Sequence, residues 1–204
     1  MYNLNYSSQL LQKAVEQFAS LPGVGKKSAL RLALHLLKQP NENVESFANA
    51  FINLKKGVKY CSICNMISDS DICDICNSNN RDKTLICVVE SIRDVLSIEN
   101  TEHYKGIYYV LGGIISPMDG VGPADLPIQK LVERVSLGEI KEIILALNTS
   151  MEGETTSFYL YKKLSPLNVK ISTIARGVGF GDDFEYTDEL TLAKSIENRQ
   201  LFKF

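Results

Sequence analysis

The chain has 204 residues, 45% of them hydrophobic, and a formal net charge of −2, so it can bury a sizeable core and its overall charge gives no argument for nucleic acid. No apolar run approaches the roughly 20 residues of a membrane span, and residues 1–8 lack a basic-then-apolar leader; a cytoplasmic protein is expected. The charge is unevenly spread: eight Lys/Arg against three Glu precede Cys61, and fourteen Lys/Arg against twenty-one Asp/Glu follow it, which predicts a basic front that meets phosphate and an acidic body with another task.

The front reads as helices. Ser7 or Ser8 caps a helix in which Leu10, Leu11, Ala14, Val15 and Phe18 recur at helical spacing. Leu21-Pro22-Gly23-Val24-Gly25 stops it, because proline fixes one dihedral and glycine permits conformations that other residues resist. A second helix is predicted over about 26–38, with Ala29, Leu32, Ala33 and Leu36 inward and Lys27, Arg31, His35 and Lys38 on the opposite face. Leu34 projects near that basic face, where a neighbouring subunit could cover it. A third helix, over about 43–56, turns Val44, Phe47, Ala48, Phe51 and Ile52 inward, with Gly57 as its stop. Helix, glycine hairpin, helix is the pattern of a helix-hairpin-helix module. Small residues let the main chain approach a phosphate, and free N–H groups at the start of the second helix bind its oxygens. Gly23, Gly25, Lys26, Lys27 and Arg31 are therefore the candidate DNA-binding residues, holding the backbone and reading no bases. Gly25-Lys26-Lys27-Ser28 is not a Walker A loop, which needs glycine at position 20, where serine stands.

Cys61-Ser62-Ile63-Cys64 and Cys73-Asp74-Ile75-Cys76 are two Cys-x-x-Cys knuckles separated by eight residues. Four thiolates at this spacing suit one tetrahedral Zn2+, which leaves no open position for water and so predicts a structural site. Two disulfides would need an oxidising compartment to which nothing here directs the chain. The intervening residues 65–72 are expected to form a polar loop. Cys87, inside an apolar run, is expected to be a buried, inert thiol.

Strands and helices alternate from Arg81 onward. Strands are predicted over residues 85–90, 106–113, 142–148 and 169–175, and helices over 124–137 and 153–164. A further helix follows Ser91-Ile92-Arg93-Asp94, which has the form of a capping box. Apolar strands separated by helices indicate a parallel sheet covered on both faces, with any ligand-binding edge at the carboxyl ends of its strands. Glu90 and the stretch Asn148-Thr149-Ser150-Met151-Glu152-Gly153-Glu154 fall there. A glycine-rich acidic stretch, Arg176-Gly177-Val178-Gly179-Phe180-Gly181-Asp182-Asp183, follows the last strand. It is not a dinucleotide fingerprint, because position 182 is Asp. A helix around 190–198 closes the chain. With His35 and His103 the only histidines, general-base options are few and no Ser-His-Asp or Cys-His arrangement is found.

This sheet edge resembles the Toprim domain of topoisomerases, primases and related nucleases, in which a Glu closes the first strand and an Asp-x-Asp pair, often followed by Glu-Gly-Glu, closes a later one around Mg2+. Glu90 and Glu152-Gly153-Glu154 match that pattern, while Asn148 and Ser150 stand where the Asp pair would. Losing two negative charges weakens a hard-cation site severely. A non-catalytic sheet is therefore expected; the alternative is an Mg2+-dependent Toprim nuclease or topoisomerase-like enzyme using Glu90, Glu152 and Glu154.

The whole chain resembles the RecR family of bacterial recombination mediators. Residues 21–29, the cysteine quartet, Cys87-Val88-Val89-Glu90-Ser91, Ser116-Pro117-Met118-Asp119-Gly120-Val121-Gly122-Pro123 and Ile174-Ala175-Arg176-Gly177-Val178 carry the resemblance. It implies a mixed α+β and α/β protein of several modules. These are a helix-hairpin-helix over 1–57, a four-cysteine zinc finger over 58–80, a Toprim-type parallel sheet with flanking helices over 81–176, and a glycine-rich acidic tail with a C-terminal helix over 177–204. It further implies a DNA-binding repair protein without enzymatic activity, assembling as a homodimer and ring-like homotetramer, and working with RecO, and in many bacteria RecF, to load RecA onto single strands covered by single-strand-binding protein. By position, Lys27 and Arg31 resemble the family's DNA-contacting residues. Cys61, Cys64, Cys73 and Cys76 resemble its zinc ligands, and Glu90, Glu152 and Glu154 its partner-binding edge. Residues 182–189 resemble the family's Walker B-like segment, but with no Walker A partner no nucleotide turnover is expected.

Overall fold

The computed structural model describes residues 8–179 and 181–199. The Ser7 alternative for the first cap, Phe180 of the glycine-rich stretch and the outermost ends of the first and last expected modules lie outside them. The chain divides into two units, Met1–Val58 and Lys59–Phe204.

In the first unit, α1 (Gln9–Ala19) begins where the Ser8 hydroxyl accepts a hydrogen bond from the Leu11 N–H at 3.3 Å. α2 spans Lys26–Leu37 and α3 Asn41–Gly57. Val15 of α1 packs against Ala29 and Ala33 of α2, with Leu11, Phe18, Val24 and Leu30 around them. Leu30 rather than Leu32 joins this core, and Leu32 is exposed. Small alanines let two helices approach closely, and that approach selects the inward face.

α3 departs from expectation. Its apolar residues do recur on one face, but none is buried: Val44 is only half-covered, Phe51 is 58% exposed, and Phe47, Ile52 and Ala48 are also exposed. Periodicity identified the helix and its apolar side. Among the described residues, its own unit supplies no partner that buries that side.

The second unit opens with a two-stranded antiparallel ladder, β1 (Lys59–Tyr60) and β2 (Ile67–Ser68), and a single-turn helix α4 (Asp74–Asn77). The stretch expected as a polar loop thus contributes a strand. A parallel sheet follows, in the order β4 (Gly106–Val110), β3 (Asp82–Val89), β5 (Glu142–Ala146), β6 (Lys170–Thr173). Ile86 pairs with Ile107 and Ile143, and Val88 with Tyr109 and Leu145. These residues face α6 (Ile128–Ser136) and α7 (Met151–Leu164) through Leu131, Val135, Leu160 and Leu164. Alternate residues Cys87, Val89, Tyr108 and Val110 face the other way, onto Val95 of α5 (Ile92–Glu99) and onto Met66 and Ile75 of the cysteine knuckle. Two covered faces explain the unbroken apolar runs in β3 and β4. β6 is an outer strand with Lys170 and Thr173 exposed, so the expectation of apolar residues on both faces fails there.

The element ends follow local chemistry. The Asp94 carboxylate accepts from the Ser91 N–H at 2.7 Å and from its hydroxyl at 2.9 Å, closing the amino end of α5. β4 stops at Val110, short of the predicted 113, because Gly112 takes a positive φ of 78°. α6 starts at Ile128 rather than near 124, since Pro127 is tolerated only as its cap. α8 (Glu189–Glu197) begins at Asp188, whose carboxylate accepts from the Thr191 N–H at 2.9 Å. Among the described residues, no helix is long and apolar enough to cross a membrane.

The Arg81 guanidinium pairs with Glu99 at the end of α5 and donates to the Tyr104 carbonyl at 3.2 Å, while the Tyr108 hydroxyl donates to Glu99 at 2.6 Å. The Arg81 hydrogen bond outweighs burial and holds the Glu99 carboxyl below the usual carboxylate range. A depressed carboxylate stabilises the fold above its unfolded pKa, about 4.3, and that contribution is lost as pH falls through the folded value. Between about pH 5 and about pH 3 the urea midpoint of the protein should therefore fall more steeply than that of Glu99→Gln; parallel curves would remove this pair from the account. Separately, Leu131 is fully buried beneath the sheet, and Leu131→Ala should cost about 2–5 kcal/mol in urea unfolding with an unchanged denaturant slope.

Candidate metal centre, hairpin and sheet edge

The four knuckle cysteines come together as the spacing predicted. Their sulfurs all lie within 4.8 Å of one another and all four residues are buried. Tetrahedral ligands about 2.3 Å from zinc would sit within that separation of each other. No sulfur is bonded to another: Cys64 and Cys73 lie 3.5 Å apart, far beyond the roughly 2.05 Å of a disulfide. Their surroundings treat the thiols of Cys61, Cys64 and Cys73 unequally. Burial works to raise Cys61, but N–H donors of Cys73, Cys64 and Ile63 outweigh it and bring that thiol down to about 7. The hydrogen bond to Cys76 and then burial push Cys64 up, and burial with the Cys64 charge pushes Cys73 up to about 11. Crowded thiolates resist ionising together, and a divalent cation relieves that resistance by displacing the protons. The residues fit a structural zinc site. Cys87 stands apart in β3, its thiol pushed up to about 12 by burial, as expected of an inert core cysteine.

At the hairpin, Gly23 takes φ +79°, a left-handed conformation that a side chain would strain. Gly25 caps α2 in extended conformation without a side-chain hydrogen bond. The Ala29 N–H is the first to reach back, to the Gly25 carbonyl at 2.9 Å, leaving the amides of Lys26, Lys27 and Ser28 as outward donors. Lys27, Arg31, His35 and Lys38 line one concave surface of about 460 Å3 with Leu30 and Leu34. Lys26 lies outside that hollow, at the helix start. Among the described residues, no acid pairs with any of these cations, since the ion pairs of the chain all fall after residue 58. Such a surface offers fixed amides and free positive charge to a phosphate.

The third candidate group lies at the carboxyl ends of β3 and β5. Glu90 follows β3 directly, and the Asn148 side-chain amide donates to its carboxylate at 2.7 Å. The Asn148 oxygen in turn accepts from the Ser150 hydroxyl at 2.7 Å, and the Ser150 hydroxyl caps α7 by accepting from the Gly153 N–H at 3.1 Å. Gly153 is required there: a Cβ would overlap the Asn148 carbonyl and its side-chain oxygen. Glu154 points to Arg176, with which it forms an ion pair. Glu152 shares the same first turn of α7 but has no side-chain partner among the described residues. The edge therefore assembles Glu90, Asn148 and Ser150 into one chain of hydrogen bonds and sends Glu154 elsewhere. Among the described residues, the cysteine quartet is the one cluster where three or more His, Cys, Asp or Glu donor atoms lie within 4.8 Å of one another. Glu90, Glu152 and Glu154 form no such group.

Two contacts here escaped the sequence. Arg176 was visible only as part of a glycine-rich motif. That it follows β6, the strand beside β5, is what brings it to α7, and adjacency of β5 and β6 could have suggested it. The Asn148 bond to Glu90 needs β3 and β5 to be neighbours, which no local pattern states. In the tail, the Asp182 carboxylate accepts from the Gly179 N–H at 3.0 Å and the Ser195 hydroxyl accepts from the Val178 N–H at 2.9 Å. Asp182 thus closes a local turn.

Comparison with known proteins places matches along nearly the whole chain. Family models match the RecR helix-hairpin-helix over residues 11–54, the RecR four-cysteine zinc finger domain over 58–78, the Toprim domain over 84–175, and the RecR C-terminal region over 177–200. Recombination protein RecR of Phocaeicola vulgatus is 60% identical over 200 residues, covering 98% of each chain. That of Bacteroides thetaiotaomicron is 58% identical with the same coverage, and that of Porphyromonas gingivalis is 58% identical over 97% of this chain and 95% of its own.

The zinc reading gives a direct expectation. Removing the metal with a strong chelator, or exchanging Cys64→Ser, should lower the melting temperature by more than about 5 °C. A melting curve that chelation leaves in place would contradict a structural ion.

Proposed function

The chain belongs to the RecR family of recombination proteins, and on that premise we propose that it is a non-catalytic DNA clamp which grips the sugar–phosphate backbone through its glycine hairpin during recombinational repair. The observation that carries this reading is the hairpin surface: outward amides at the start of α2, a positive-φ glycine before them, and Lys27, Arg31 and Lys38 along one face without an acidic partner among the described residues. Gly23, Gly25, Lys26, Lys27 and Arg31 are the residues assigned to DNA. Contacts of this type are independent of sequence.

One subunit offers few phosphate contacts, so its affinity is weak and salt-dependent. Joining subunits in a homodimer or a ring-like homotetramer raises the effective concentration of the remaining hairpins once one has bound. The uncovered apolar face of α3 supports assembly, since exposed aromatic residues in a row belong to interfaces more than to water. The family resemblance supports RecO, and RecF where it exists, as partners in loading RecA onto strands covered by single-strand-binding protein, with Glu90, Glu152 and Glu154 as the partner-binding edge. The hydrogen bond that Asn148 gives Glu90, and the Arg176 pairing of Glu154, favour an edge used for recognition over one used for metal-assisted cleavage. In this proposal the modules divide at 57, 80 and 176, and the protein works in the cytoplasm.

Fluorescence anisotropy with labelled oligonucleotides of unrelated sequence tests the hairpin. Lys27→Ala with Arg31→Ala should weaken binding to all of them alike, and the slope of log affinity against log salt should fall by about 0.9 for each duplex phosphate that the variant no longer neutralises. Equal affinity and slope in the double variant would remove the hairpin face from the account. Mass in solution, with and without DNA and RecO, tests assembly and partner together.

A further inference from the structure

At the opposite end of the sheet from Glu90, near the amino ends of its strands, a cleft of about 410 Å3 opens between the cysteine knuckle and α6. Lys83 from the start of β3, and Lys130 and Arg134 from α6, converge on it, with Glu139 the one acid in its lining. This is an excess of cations within a region that carries twenty-one Asp/Glu against fourteen Lys/Arg after Cys61. Lys59, Arg81, Lys170 and Arg176 of the same unit are each matched by a carboxylate. Among the described residues, Lys83, Lys130 and Arg134 have no such partner, and what sets them apart from the unit's other unpaired cations is that they share one cleft. One Arg134 N–H donates to the Ile63 carbonyl at 3.2 Å, which fixes the side chain against the knuckle and leaves its other N–H groups to a ligand.

The lining beneath these charges is apolar. Ile107 and Ile140 are buried at its floor, Ile63 forms part of the knuckle wall, and Leu137 stands 74% exposed at the lip. Tyr109 is the cleft's one aromatic residue. It is buried and its hydroxyl is spent on the Pro127 carbonyl at 2.7 Å. A nucleic-acid strand held without sequence preference needs exposed aromatic faces for its bases, and a bare phosphate chain would leave the apolar floor wet. A ligand that bears carboxylates around an apolar side chain satisfies rim and floor together.

We propose that this cleft is a docking site for an acidic peptide segment of a partner protein, with Lys83, Lys130 and Arg134 taking its carboxylates and Ile107, Ile140 and Leu137 receiving an apolar side chain between them. The site shares no residue with the hairpin or with the Glu90 edge, borders the metal centre through Cys76, and does not rest on the clamp reading. The cleft's volume lies within the range of pockets that hold small ligands and anchor residues.

The test uses the full chain and a fluorescein-labelled peptide of about ten residues, with Asp and Glu flanking two leucines, at about 50 mM salt. Saturable binding is expected, weakened about tenfold or more by Lys83→Glu with Lys130→Glu. Both lysines are exposed, so the double variant should melt as the parent does. Should it fail to fold, Leu137→Asp at the lip gives the same loss. A control peptide with serine for both leucines should bind several-fold more weakly, and Lys27→Ala with Arg31→Ala should leave peptide binding unchanged. Equal affinity for the leucine and serine peptides would overturn the proposal, and so would peptide binding untouched by the cleft variants. An oligothymidine that displaces the peptide, and whose own binding is lost in Lys83→Glu with Lys130→Glu, would assign the cleft to nucleic acid instead.

Discussion

The acidic body rests on closure of one sheet edge. β4 is the outermost strand on its side, yet every residue in it is buried, and an outer strand carries backbone groups that must find partners away from water. The cysteine knuckle supplies those of Val110, at the carboxyl end of the strand. The Val110 N–H donates to the Cys64 carbonyl at 2.8 Å, and the Asn65 side-chain amide donates to the Val110 carbonyl at 2.9 Å. Asn65 takes a positive φ of 62° to make that reach, in the turn where its own N–H returns to the Cys61 carbonyl. A zinc ion held by Cys61 and Cys64 therefore fixes the turn that seals β4. Through β4 it supports β3, at whose end Glu90 stands. An ion at the quartet would thus act on the sheet through the Cys64–Asn65 turn and its bonds to Val110.

Two of the three acids at the Glu90 edge are answered from within the sheet, while Glu152 has no side-chain partner among the described residues. A parallel sheet gathers strand ends at one place, and acids gathered there repel unless something answers them. Here the answers are a neutral amide for Glu90 and a guanidinium for Glu154, each supplied by a strand end next to the acid it meets. The hairpin follows the opposite rule: its cations are left without acidic partners. Paired charge makes a surface rigid and selective, while unpaired positive charge makes it adhesive to any polyanion. The division of basic front and acidic body, visible in composition, becomes two kinds of surface.

What could be read from residues alone was what depends on short spacing. The cysteine quartet, the Asp94 reach to Ser91, the positive-φ turn at Gly23 and the alternation in β3 are set by residues close together in the chain, and each was legible. Errors came where tertiary packing decides. Leu32 and Leu30 differ by half a turn, and the close approach of Val15 to Ala29 and Ala33 chose between them. Among the described residues, α3 has an apolar stripe with no fully buried member, because periodicity reports what a helix wants to bury and not whether its own unit buries it. Lys83, Lys130 and Arg134 share a cleft only because β3 and α6 meet across the sheet, and nothing local joins them.

The bond between Asn148 and Glu90 sets a cost on any charge added at position 148. Aspartate at position 148 would not simply add a metal ligand. It would remove the donor from Glu90 and set two anions at hydrogen-bond distance. An aspartate at position 148 would therefore cost stability unless a cation sat between the two carboxylates.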